Sequence, residues 1–368
     1  PEAARLLYHT GAYLQERADY SSVEPLYVQA LEMRRHLLGE EHPEVAQSLD
    51  KLASLYEAQW KDEQAELHYQ SALDIRARVL GPEHPDLAES FTHLAFFYYK
   101  KGKYAQAVPL QQQALVIFEQ ALGSHHLNVA TSLNHLAVLY HEQGKYTQAE
   151  PLYQRALAIR EQALGPEHPD VASSLKTLGA LYHERGWYIQ AEMLYQRALT
   201  IREQAFGPEH PIVALSLRNL AMLYKDWQQY ALVEPLYQRA LTIREKTFGL
   251  HHPFVADIFN ALAELYFVQK RHDQAEIFFT RALTIWEEIF GPDHPDVAQS
   301  LMGLAELFSE QGKYDQAEHL GQRALLICEQ TFGPTHPDVA QCLTILADIS
   351  RVQEKYGQAE ELYTRAID

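Results

Sequence analysis

Apolar residues recur along this chain at helical spacing, and the whole pattern returns every 42 residues. In one period Val171, Ala172, Leu175, Leu178, Gly179 and Tyr182 stand at i, i+1, i+4, i+7, i+8 and i+11, one face of an α-helix. The turn "ERGWY" follows, and its glycine recurs as Gly102, Gly144, Gly186 and Gly312, suited to a left-handed helix C-cap. A second helix then carries Ala191, Tyr195, Ala198, Leu199 and Arg202 up to the next Gly–Pro. The pattern predicts an all-α chain of about nine stacked antiparallel helix pairs, an α-solenoid.

Between units lies "ALGPEHPDVA", residues 163–172, with near-copies such as "VLGPEHPDLA" from Val79 and "TFGPTHPDVA" from Thr331. Its histidines fall at 42, 84, 126, 168, 210, 252, 294 and 336, and proline follows each except where Leu127 stands. A histidine at fixed spacing invites a reading as metal ligand or proton shuttle. Helix-boundary chemistry accounts for it more simply. Gly165 can end one helix in the left-handed conformation and Pro166 forbids its continuation. Pro169 suits the first position of the next helix, and Asp170 favours that helix's dipole. His168 therefore sits at or beside an N-cap. No second ligand type recurs with it, so no metal site is expected. The adjacent pairs His125–His126 and His251–His252 read as loop residues.

Composition narrows the function classes. With 49 acidic and 31 basic side chains the net charge is −18, which repels a phosphate backbone and argues against nucleic acid as partner. No apolar run approaches the roughly 20 residues that span a bilayer, and no basic-then-apolar leader opens the chain. No membrane association and a cytoplasmic setting are expected. The chain has none of the phosphate-loop, G-x-G-x-x-G, H-E-x-x-H or G-x-S-x-G signatures, so neither an enzyme nor a cofactor is expected. Cys328 and Cys342 lie seven residues either side of Thr335, a symmetry that could bring them face to face across a helical hairpin. Cys342 occupies a column that is usually serine, and the pair is read as reduced packing residues. Pro1 is in register with Pro43, and Asp368 falls inside a ninth unit. The expectation is a single solenoid over 1–368, cut at both ends from a longer protein.

Small residues mark where helices touch. The Ala198 column is alanine in all nine units, and the Ala172 column in all eight that follow a histidine. A bulky residue there would overpack the contact, at about 1–3 kcal/mol. With Leu136, Ala137, Tyr140, Ala149, Tyr153 and Ala156, these columns resemble the tetratricopeptide repeat in its 42-residue, kinesin-light-chain form. Asp62 and His272 depart from the turn tyrosine, and Gly321 from a packing aromatic. Of 22 tyrosines, 19 fall in the columns of Tyr140, Tyr146 and Tyr153 and read as packing residues. The resemblance implies a right-handed superhelix whose concave groove is lined by the first helix of each pair.

Candidate binding residues are those that break the repeat on that face. One column runs Tyr8, Asp50, Thr92, Asn134, Lys176, Arg218, Asn260, Met302, Thr344. The next runs Ala12, Ser54, Phe96, Val138, Ala180, Met222, Glu264, Glu306, Asp348, apolar early and acidic late. A third supplies Tyr99, His141, His183, Lys225 and Phe267, and His135 and Asn219 stand beside the first. Together these describe a peptide groove centred on residues 92–260. Asn and Lys/Arg would grip backbone and carboxylates, while Phe96, Val138 and Met222 offer apolar contacts. The resemblance to kinesin light chains implies an acidic–aromatic peptide as partner, with Asn134, Asn219 and Asn260 resembling the family's groove asparagines. Three functions follow: an adaptor or sensor module that binds a protein or peptide, a scaffold that stacks end to end without a ligand, and the regulatory repeat region of an NB-ARC-type signalling ATPase, which such near-identical units resemble.

Overall fold

The computed structural model describes residues 3–7, 10 and 20–367; Pro1, Tyr8, Ala12 and Asp368 lie outside the described residues. From Tyr20 onward, helices of two lengths alternate. Nineteen-residue helices such as Tyr20–Leu38, Tyr146–Leu164 and Tyr314–Phe332 follow sixteen-residue helices such as Pro43–Ala58, Pro169–Glu184 and Pro337–Val352. Leu127–His141, whose unit lacks the proline, is one residue shorter than its counterparts at 15. The chain forms two compact units, residues 1–185 and 186–368. Within each, a sixteen-residue helix packs along the nineteen-residue helix after it and, over a narrower contact, the one before it.

The repeated histidine is the N-cap. In all eight copies its Nδ1 accepts the backbone N–H two residues on, at 3.1–3.3 Å, so the imidazole answers one of the orphan donors of the helix start. Where the preceding helix ends in phenylalanine, the ring also stacks on it, from 5.0 Å for Phe206–His210 down to 4.3 Å for Phe332–His336. The glycine before it departs from expectation. Gly165 has φ 90° and ψ 154°, a positive-φ extended conformation essentially closed to other residues, rather than left-handed helical. The other turn is left-handed as expected, but four of its copies, Trp60, Gln228, Lys270 and Glu354, are not glycine at φ 59–62°.

Between one pair and the next runs a contact that the hydrophobic pattern does not reveal. Arg34 Nη1 donates to Ser48 Oγ at 2.7 Å and to the Glu44 carbonyl at 2.9 Å. The same Arg–Ser bond recurs at Arg76–Ser90, Arg160–Ser174 and Arg202–Ser216. Arg34, Arg76 and Arg202 are buried, and burial draws the Arg160 and Arg202 guanidiniums below their ordinary pKa. Where the arginine becomes Phe118, buried Gln111 donates to Ser132 instead, at 2.7 Å. Where the serine becomes Ile258, Arg244 turns to Asp257 at 2.8 Å. Opposite Trp286, Ser300 donates to Asn260 at 3.1 Å. In the last copy both partners are cysteines, Cys328 and Cys342, both free and buried.

A second ladder lies near the helix ends. Tyrosine hydroxyls donate to glutamates on the preceding nineteen-residue helix, as in Tyr98–Glu66 at 2.7 Å and Tyr266–Glu234 at 2.9 Å. This places the Tyr140 column in packing, as its regularity indicates. The Gly321 departure is filled from a neighbour: Leu346 Cδ2 would lie 2.8 Å from a Cβ at that position.

Two stability effects follow. His168→Ala removes the cap acceptor and lowers stability by about 1 kcal/mol in denaturant unfolding, whereas His168→Asn, a good cap residue, retains most of it. Gln228→Gly relieves a left-handed non-glycine and raises the unfolding midpoint, by about 1 kcal/mol before the glycine's greater unfolded entropy is subtracted.

Candidate functional site

In the first unit, the repeat-breaking residues Phe96, Tyr99, His135 and Val138 meet around one recess of about 220 Å³, completed by Ala95, Gln111 and Leu139. Phe96 is 46% exposed and stacks on Tyr99 at 5.9 Å between centroids, with Lys100 Nζ 4.7 Å from its ring. His135 forms part of the wall; burial, then the nearby Arg160 charge, holds its pKa below the ordinary imidazole value, so it offers a neutral ring. Burial, then Glu142, raises the Tyr99 phenol, which donates to Glu142 at 3.4 Å. Asn134 is half-buried, and its Oδ1 accepts from Thr177 at 3.1 Å. Lys176 and His183 are half-buried on Pro169–Glu184. His141 Nε2 lies 2.7 Å from Glu184, and the imidazole packs edge-on against Tyr146 and Tyr153.

In the second unit the expected grips are engaged. Arg218 pairs with Asp257 at 3.2 Å and Lys225 with Glu264 at 2.8 Å. Asn219 is half-buried, and Met222 is 36% exposed. Asn260 departs from its expected role. It is 3% exposed, its Oδ1 accepts from Ser300, and its Nδ2 donates to Glu264 at 3.1 Å, so both ends of the amide serve the fold. Asp50, earlier in the same column, is likewise buried, against Arg76 at 2.5 Å. The late carboxylates do gather: burial first, then Glu264, Asp348 and Glu310, raise the Glu306 pKa. Beside them a cavity of about 600 Å³ is lined by Lys225, Glu264, Phe267, Met302, Glu306 and Cys328, among others.

Among the described residues, no group of three or more His, Cys, Asp or Glu side chains could hold a metal ion, and no helix is long and apolar enough to cross a membrane.

These features define a helical-repeat scaffold with an open apolar recess and flanking charge. Tetratricopeptide-repeat profiles match residues 4–44 and 45–86, and then 86–162, 129–188, 179–246, 254–329 and 310–368, so the chain belongs to the tetratricopeptide repeat family. Among solved structures it is similar to BtubC (BKLC) from P. vanneervenii, at 26% identity over 63% of this chain and 93% of that one, with TM-score 0.56. It is also similar to a putative kinesin light chain of Podosopora anserina with nearly identical TPR-like repeats, at 28% identity over 56% and 98%, with TM-score 0.50. The apo quorum sensor NprR from B. thuringiensis shares the fold at 15% identity over 88% and 87%, with TM-score 0.66. No curated protein matches.

The shifted groups give opposite pH dependences. Because the folded pKa of His135 is depressed, the unfolded chain binds more protons there, and stability falls as pH drops through the imidazole range. Because the folded pKa of Glu306 is raised, the folded chain binds more, and stability falls as pH rises above the ordinary carboxylate range. Glu306→Gln should therefore unfold at higher denaturant than the wild type at neutral pH, with the gain vanishing once carboxylates are protonated.

Proposed function

We propose that the chain is a protein-interaction module, an adaptor or sensor region of cytoplasmic setting, which docks an extended segment of a partner on its sixteen-residue helices. The recess between Phe96 and Val138 carries this reading, because it is an open apolar site built from residues that break an otherwise strict repeat. Its size suits one aromatic or branched aliphatic side chain. Asn134 stands beside it with an amide for peptide backbone, and Lys176 supplies positive charge for flanking carboxylates, while Lys100 is paired with Glu57 at 2.6 Å. His183 belongs to the same unit as the recess, Asn219 and Met222 stand on Pro211–Asp226 of the second unit, and His141 is held by Glu184. Arg218 and Lys225, already matched by Asp257 and Glu264, add little net charge for an acidic ligand. The carboxylates around Glu306 disfavour an acidic ligand on the second unit. The likeness to kinesin-light-chain repeats supports the module reading. No chemistry is assigned to the chain beyond binding.

A random peptide library selected on the purified protein tests this. Enriched sequences should carry an aromatic or large aliphatic residue flanked by Asp or Glu. Val138→Glu, which fills the recess with charge, should weaken the best peptide by about a hundredfold, and Lys176→Glu by about tenfold. Enrichment of nothing, together with a mass in size-exclusion chromatography that grows with concentration, would replace the module with a self-stacking scaffold. Enriched peptides whose affinity survives Val138→Glu would move the site elsewhere.

A further inference from the structure

The last Arg–Ser position holds three sulfur atoms. Cys342 Sγ lies 3.9 Å from Cys328 Sγ and 3.3 Å from Met302 Sδ. Each comes from a different helix, Pro337–Val352, Tyr314–Phe332 and Pro295–Glu310, so three consecutive elements converge on one point. All three are nearly sealed, at 0%, 1% and 8% exposure respectively. A cavity reaches two of the three residues. Met302 and Cys328 form part of the wall of the cavity of about 600 Å³, whose rim carries Glu264, Asp296, Glu306 and Asp338 against a single cation, Lys225. Lys225 is itself paired with Glu264.

We propose that Cys328, Cys342 and Met302 form a binding site for one soft monovalent cation, Cu(I), which enters through the acidic cavity. Two thiolates and a thioether are the donor set that favours Cu(I) over harder ions. A cation about 2.3 Å from each of three sulfurs separates them by about 4 Å. The cysteine pair already stands at 3.9 Å, and the unbranched Met302 side chain can swing to widen its 3.3 Å contact. Zn(II) fits poorly, since it takes four N, O or S ligands and no third His, Cys, Asp or Glu completes the set among the described residues. Binding balances as two thiols plus Cu(I) giving a bis-thiolate complex of net charge −1 and two released protons, with no change of oxidation state. The carboxylate rim raises the local cation concentration and draws the ion inward.

The full chain, reduced and kept anaerobic, is titrated with Cu(I) against a chromogenic Cu(I) chelator, with a parallel Zn(II) titration. One equivalent of Cu(I) should bind, with a thiolate-to-copper charge-transfer band in the ultraviolet and affinity that falls as pH is lowered. Cys342→Ser restores the serine found in six other copies of this column, which favours a folded variant, and Cys328→Ser is its companion. Each should weaken binding by about a hundredfold or more, and Met302→Leu by about tenfold, with circular dichroism unchanged. Four results would overturn the site: no uptake, uptake that survives Cys342→Ser, equal affinity for Zn(II), or thiol assays showing the pair already closed as a disulfide. Binding that ignores Met302→Leu would reduce it to a two-thiolate site and remove the proposed third ligand.

Discussion

A 42-residue helix pair is too thin to bury both of its apolar faces, so each pair in this chain is stable only against its neighbours. The Arg–Ser contact between pairs therefore carries more weight than its single hydrogen bond suggests. A guanidinium shut away from water without partners is costly, and Arg34 meets that demand with both a serine and a carbonyl. The alanine columns bring the helices close enough for the bond to form. Every departure at this position is repaired locally, by Gln111, Asp257, Asn260 or a pair of cysteines. The constraint is that the boundary between pairs stays filled, and several residue combinations meet it, although Arg202 Nε and Trp286 Nε1 are buried there without a hydrogen-bond partner.

The helices, their caps and the alanine contacts were legible in the sequence because they are locked to the 42-residue period. Pattern and spacing are local properties, and the repeat presents each of them eight or nine times. The histidine cap was legible for the same reason, since Gly, Pro and His each have one task at a helix boundary. The Arg–Ser bond was not read, although a signal is present: two polar columns 14 residues apart on different helices hold Arg and Ser in most copies, and Cys328 and Cys342 replace both at once. A repeat is its own alignment, and paired columns reveal contacts that hydrophobicity cannot.

The candidate site was legible only in part, and the reason is physical. A residue that breaks the repeat can be one that faces a ligand or one that repairs a neighbour's irregularity, and both look the same in sequence. We assign Phe96 and Val138 to the first kind, because they line an open recess. Asn260 is of the second kind. Its amide answers Ser300, which lost an arginine when Trp286 replaced it, and burial followed from that exchange. Arg218 also shares its partner, Asp257, with the displaced Arg244. Depth and pairing depend on residues about 40 positions away, and no single-helix pattern encodes them.

One backbone thus carries two different surfaces. In the first unit the variable columns leave an apolar recess beside a neutral imidazole. In the second the same columns gather carboxylates, and burial, then the charges of Glu264, Asp348 and Glu310, raise the Glu306 pKa. At physiological salt, charge is screened over about 8 Å, so the net charge of −18 does not decide what either surface attracts. The local set does. An acidic segment meets apolar surface at the first recess and repulsion at the second cavity, whereas a cation is favoured at the second. Duplication supplied the scaffold, and a few substitutions within its fixed columns set the preference of each part.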